Sequence, residues 1–162
     1  MKPTIARILL AAGGLLFLPL VCLLATLKLT TNTNSVSIPF ATTDYNSATG
    51  AAQIIKTSAQ TLTIVSDTNT WTLNVKASTS TFSFVPSSGD SNPNKPASDL
   101  AVRVPAFTST WTSLSTSNQV IATGPKQSGN QTRAVDYRLN SNLSTDPPGT
   151  YTISIVFTIS QP

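Results

Sequence analysis

The sequence predicts an all-β protein, an antiparallel β-sandwich behind an N-terminal hydrophobic signal or anchor helix. Three observations predict it. Apolar side chains alternate with Thr, Ser and Asn at spacing two in segment after segment, which is the period of a half-buried strand. No window after residue 30 carries a 3.6-residue apolar repeat, so no amphipathic helix competes for the same residues. Clusters of Pro, Gly, Asn and Ser interrupt the alternating runs, as turns between short strands require.

The 162-residue chain opens differently from the way it continues. Lys2 and Arg7 precede an uncharged run from Ile8 to Leu27. A basic start followed by an apolar stretch marks export. The run exceeds a secretory core of about 7–15 residues, and about 20 apolar residues also span a bilayer. Two readings therefore stand: residues 1–25 as a cleaved signal peptide, or an uncleaved signal-anchor reaching residue 27. Cys22 lies inside the run behind Val21, a poor neighbour for lipid attachment, and its plainer role is that of an apolar residue. Residues 26–162 then form a single domain with no cysteine, held by core and sheet pairing without disulfides.

The strands follow in order. Leu27 and Leu29, then Val36, Ile38 and Phe40, alternate before Ala41. Leu62 and Ile64 do so in QTLTIVS, and Trp71, Leu73, Val75 and Ala77 in TWTLNVKAS, with Phe82 and Phe84 close behind. Leu100, Val102 and Val104 form DLAVRV; Val120 and Ala122 mark a short QVIAT strand; Val135, Tyr137 and Leu139 form AVDYRLN. The last run places Tyr151, Ile153, Ile155, Phe157 and Ile159 on one face. Asp67 to Asn69, the long stretch 86–98, the break from Gly124 to Asn130 and Asp146 to Gly149 are the turn and loop signals. From Thr26 onward 46 of 137 residues are Ser or Thr. The alternation makes these the wet face of sheets and not a disordered stalk. Eight or nine such strands indicate a sandwich of immunoglobulin-like or pilin-like connectivity.

Composition narrows the function. The chain has no His, and its six acidic residues are all Asp. Imidazole-based nucleophilic catalysis and imidazole metal ligation are excluded, and only Asp remains for carboxylate acid–base work. A non-enzymatic role is expected, with no cofactor. Half of the net charge of +4 belongs to the leader, and no basic cluster suits nucleic acid.

Two segments carry a resemblance. Trp71-Thr72-Leu73 is a literal W-x-L, and the ending PPGTYTISIVFTISQP places Tyr151, Ile155, Phe157, Ile159 and Pro162 in a Tyr, apolar strand, terminal Pro pattern. Together they resemble the WxL domain family of bacterial cell-surface proteins over residues 35–162. Phe157 stands where that family usually has Trp, and Pro162 comes one residue early. The resemblance implies non-covalent attachment to the cell wall, to peptidoglycan, or a place in a surface complex. The ending is also similar to the last strand of pilin and spore-coat-type subunits, which commonly place a Gly where Gly149 stands. Their disulfide is missing here, and Gln161 replaces their penultimate aromatic.

Candidate site residues follow from both lines. Trp71 shares the parity of Leu73 and Val75, so a core position is expected of it. Trp111 has a less regular setting and is the candidate exposed, ligand-facing aromatic. Asp90, Asn92 and Asn94 alternate in the long loop, where solvated turn residues are a better reading than a calcium site. Leu29, Val36, Ile38 and Phe40 form a candidate donor strand, within segment 26–40, able to complete a neighbour's sheet. Its other reading is the first strand of its own sandwich. The expected partners are therefore a cell-wall polymer, other surface proteins or further copies of the chain, with the membrane touched only by a retained N-terminal segment.

Overall fold

The computed structural model describes residues 27–31, 34–67 and 70–161. The expected N-terminal helix, its cleavage site and Cys22 lie outside the described residues. Ten strands are present among the described residues: β1 (Leu27–Thr31), β2 (Ser35–Phe40), β3 (Ala51–Ser66), β4 (Trp71–Ala77), β5 (Ser83–Pro86), β6 (Leu100–Arg103), β7 (Thr112–Ser113), β8 (Gln119–Gly124), β9 (Gln127–Asn142) and β10 (Gly149–Ser160). They form two packed antiparallel sheets, one ordered β1-β3-β9-β6-β7 and the other β2-β10-β4-β8, with β5 also beside β10. The all-β class is as the alternation predicts.

Alternation sets which side chains meet between the sheets. Trp71, Leu73, Val75 and Ala77 on β4, Val135, Tyr137 and Leu139 on β9, and Tyr151, Ile153 and Ile155 on β10 are all buried. The odd residues of β10 face inward and the even ones face solvent down to Val156 and Thr158. Each fully buried aliphatic side chain contributes about 1.5–3 kcal/mol.

The N-terminal run divides where the sequence reads as one alternation. β2 pairs with β10, Ser35 opposite Ser154, whereas β1 crosses to pair with β3, Leu29 opposite Ile64. Side-chain parity explains the crossing. Continuing along β10 in the register of β2 would set residues 32 and 30, which are Asn and Thr, opposite Phe157 and Ile159 on the inward face. Crossing instead turns Leu27 and Leu29 toward the core, and burying unpartnered amides is avoided.

Three sequence readings need correction. In QVIAT, Val120 is 60% exposed while Ile121 and Ala122 are both buried. A bulge opposite Leu73 and Asn74 flips the parity of β8 at that point. The break after Gly124 is only two residues long, because β9 already begins at Gln127. β3 and β9 are 16 residues each, longer than the alternating runs read from the sequence, since the mixed stretch AAQIIK extends the ladder from Ala51 to Lys56. Midway, Thr57, Ser58 and Ala59 bulge opposite Asp136. Ser58 takes a left-handed φ of 51° and donates its N–H to Asp136 Oδ1 at 2.9 Å.

Gly149 marks a close approach. A Cβ there would overlap the Phe84 ring and the Val85 carbonyl oxygen, since β5 and β2 press on both flanks of this end of β10. Gly149→Ala is expected to cost about 1–3 kcal/mol by overpacking, seen as a lower denaturant midpoint with an unchanged slope. A loss under about 0.5 kcal/mol would show that β5 moves aside freely.

Candidate functional site

The two halves of the resemblance fall on neighbouring strands. β4, which carries Trp71 and Leu73, pairs with the second half of β10, setting Leu73 opposite Ile159 and Val75 opposite Phe157. Tyr151 lies in the first half of β10. Its ring packs against Phe40, Phe82 and Phe84, with centroids 5.5, 6.1 and 4.6 Å away, and its hydroxyl donates to the Pro147 carbonyl at 2.8 Å. Trp71, Leu73, Tyr151 and Phe157 are all buried. They build the core and present no aromatic platform to a ligand. Trp71 meets Phe107 edge-on at 5.3 Å, and its ring occupies the space that a Cβ at Gly124 would fill.

The candidate donor strand is paired within the chain. Val36, Ile38 and Phe40 are buried against β10, and Leu29 lies partly buried on β1. Among the described residues this pairing leaves the second half of one flank of β10 uncovered. On one side β10 is paired with β5 over 149–152 and with β4 over 155–160; on the other, β2 ends at Ser35. The last bond on that flank runs from Ile155 N–H to the Asn34 carbonyl at 2.8 Å. Beyond it no strand pairs with residues 156–160 on that flank among the described residues. Between this free flank and β1 lies a groove of about 400 Å³, lined by Leu29, Thr31, Asn34, Ile155, Phe157 and Ile159. An open ladder beside an apolar channel is the arrangement that accepts an added strand.

Trp111 is half-buried, and it is held by the protein itself. The Arg103 and Arg138 guanidinium carbons lie 4.4 and 4.9 Å from its ring centroid, within cation–π range. Arg103 also reaches Asp136 Oδ2 with Nη2 at 2.9 Å and Nε at 3.1 Å. Asp136 therefore ties the β3 bulge, β6 and the indole together. Arginines at 103 and 138 with an Asp at 136 carried no pattern that would have paired them with Trp111.

A second polar cluster was not legible either. Lys95 is 1% exposed, in a loop whose composition reads as solvated. Its amino group meets Asp99 Oδ2 at 2.7 Å and Asp146 Oδ2 at 2.8 Å. Asp146 Oδ2 also accepts from the Ser141 hydroxyl and the Asn142 N–H, both at 3.0 Å. Tyr45 donates to the Asp146 carbonyl at 2.6 Å. Burial alone would raise the Asp146 pKa, but Lys95, the Asn142 N–H and the Ser141 hydroxyl outweigh it and hold it below 3.8. The cluster pins the 86–98 loop to the turn before β10. Asp90, Asn92 and Asn94 make local turn contacts, with Asp90 accepting from Ser88 and Asn92 from the Asn94 N–H. No group of three His, Cys, Asp or Glu side chains that could hold a metal occurs among the described residues.

All three tyrosines are buried. Burial raises the phenol pKa of Tyr45, Tyr137 and Tyr151 above 10.0; the Tyr137 hydroxyl donates to Gln60. A folded pKa above the unfolded one gives stability that is complete below pH 10 and declines as pH rises beyond it. Phenolate absorbance is therefore expected to appear together with unfolding in alkali. Tyrosines titrating near pH 10 in a protein with an intact circular-dichroism spectrum would contradict their burial.

No family model matches the chain, and no curated protein aligns with it. No helix among the described residues is long and apolar enough to cross a membrane.

Proposed function

We propose that this is an exported, non-enzymatic cell-surface protein that associates with the cell wall, or with other surface components, through a WxL-like β-sandwich. One observation carries the reading: the W-x-L strand β4 lies directly beside the C-terminal strand that bears Phe157 and Ile159. Motif segments far apart in the sequence thus act as one packing unit, which accounts for their joint occurrence. The leader-like N-terminus and the absence of His and Glu support the same reading. The connectivity is immunoglobulin-like or pilin-like in this reading, and the leader directs the chain to the envelope. Purified protein is expected to pellet with isolated cell walls or peptidoglycan. Recovery in the supernatant with every wall fraction would refute wall association.

A second reading is favoured by the free flank of β10. The chain would be a structural subunit of an extracellular filament, pilus or coat, in which segment 26–40 of a neighbour supplies a strand. Negative-stain microscopy would then show polymers that vanish when residues 26–40 are deleted. Particles of monomer size at high concentration would count against it.

A further inference from the structure

We propose that the free flank of β10 pairs with the same flank of a second copy of this chain, joining two sheets across a two-fold axis at Thr158. The interface does not depend on wall association, and it excludes donation of segment 26–40 into the same flank. A dimer that stays in the supernatant keeps this interface and removes that reading.

Natural sheets block unwanted pairing with Lys, Pro, bulges or very short edge strands. β1 is five residues long and carries exposed Lys28, β2 contains Pro39, and β5 is four residues ending in Pro86. β7 has two residues, and β8 has a bulge and is followed by Pro125 and Lys126. The length of β3 that β1 leaves uncovered carries Lys56 and the bulge beside it. The stretch Ile155–Ser160 has none of these devices: it holds no charge and no Pro, and its pairing with β4 is unbroken. Its free flank is an edge built to be covered.

Backbone parity then fixes what covers it. Ile155 N–H points to the β2 flank, and the Ser154 carbonyl points the other way, accepting from Ser78 N–H at 2.9 Å. In an antiparallel ladder this alternation continues, so Phe157 and Ile159 present their N–H and C=O groups to the free flank. The chain's own β1 is a poor filler, since the β2 register would set polar residues 30 and 32 opposite Ile159 and Phe157 on the inward face. Segment 26–40 of a neighbour already has its described strands paired within its own chain. Among the described residues the flank of a second copy is free by the same token, and a two-fold contact needs no other complementary surface.

The register follows. Ile155 has its N–H committed, so Phe157 pairs with Ile159 of the second copy, and Ile159 with Phe157 of the second copy. All four groups on each side are satisfied. Thr158 then faces its own copy at a non-hydrogen-bonded position, where Cα atoms lie about 4.5 Å apart. That spacing permits a disulfide.

The test uses the 162-residue chain with Cys22→Ser as background, because the rest of the chain has no cysteine. Light scattering is expected to give twice the chain mass. Thr158→Cys is expected to link into a covalent dimer on mild oxidation, whereas Val120→Cys, on the exposed β8 edge, is not. Thr158→Lys sets two ammonium groups face to face and is expected to halve the mass with an unchanged circular-dichroism spectrum, since Thr158 is exposed. A monomer at high concentration, an open polymer, a dimer that Thr158→Lys leaves intact, or a Thr158→Cys variant that forms no covalent dimer would each overturn the proposal.

Discussion

Lys95→Ala is expected to destabilise the protein by about 3–5 kcal/mol, because removing one partner of a buried ion pair leaves the other charge uncompensated. The Lys95 amino group is the charged donor on Asp146, whose side chain is 9% exposed. Without it, Asp146 keeps only the Ser141 hydroxyl and the Asn142 N–H. Asp99 is 36% exposed and can turn to water, so Asp99→Asn is expected to cost far less, about 1 kcal/mol or under. Denaturant titration checks both. The pair also has a pH signature. The Asp146 pKa is depressed in the folded protein, so its contribution is complete above pH 3.8 and is lost as pH falls through the lower folded value. Lys95→Ala should flatten that acid limb. Equal losses for the Asp99 and Lys95 variants, or an unchanged acid limb, would contradict the cluster as described.

Trp71→Ala is expected to cost a similar amount, about 3–5 kcal/mol, from lost burial plus the cavity left behind. Trp71 is 1% exposed and fills the end of the core between Phe107 and Gly124. Its indole Nε1 has no acceptor among the described residues. An apolar replacement therefore removes an unsatisfied donor as well as volume. Trp71→Phe is accordingly expected to lose only about 1–2 kcal/mol, less than deletion of the ring by a clear margin. Trp111→Ala, by contrast, should leave the core intact and release Arg103 and Arg138 from the indole. If Trp71→Ala proved no worse than Trp111→Ala, the W-x-L tryptophan would not be a core residue.

Alternation made most of the architecture legible. β4, β6, the centre of β9 and all of β10 read directly, because the large apolar residues of each alternate. What did not read had a physical reason each time. The polar ends of β9 are held by ladder hydrogen bonds to β3, and the Ala51–Lys56 end of β3 sets Ile54 and Ile55 side by side, which blurs its alternation. Val120 misled because a bulge changes parity without changing composition. Lys95 lies in a Pro- and Asn-rich loop, and its burial depends on Asp146, fifty-one residues away in sequence. The crossing of the N-terminal run was hidden because Leu29 and Val36 both belong to inward faces, but of different sheets. Trp71 was legible from parity alone, while the surroundings of Trp111 depend on β6 and β9 meeting beside it.

The strand from Ser35 to Phe40 belongs to its own molecule and covers only the first half of β10. Amide hydrogen exchange on the full chain in dilute solution tests it most directly. The account predicts slow exchange at Val36, Ile38 and Phe40, matching that of Tyr151 and Ile153 opposite them. Exchange of residues 35–40 at the rate of an unstructured peptide, with β3 and β9 still protected, would contradict it.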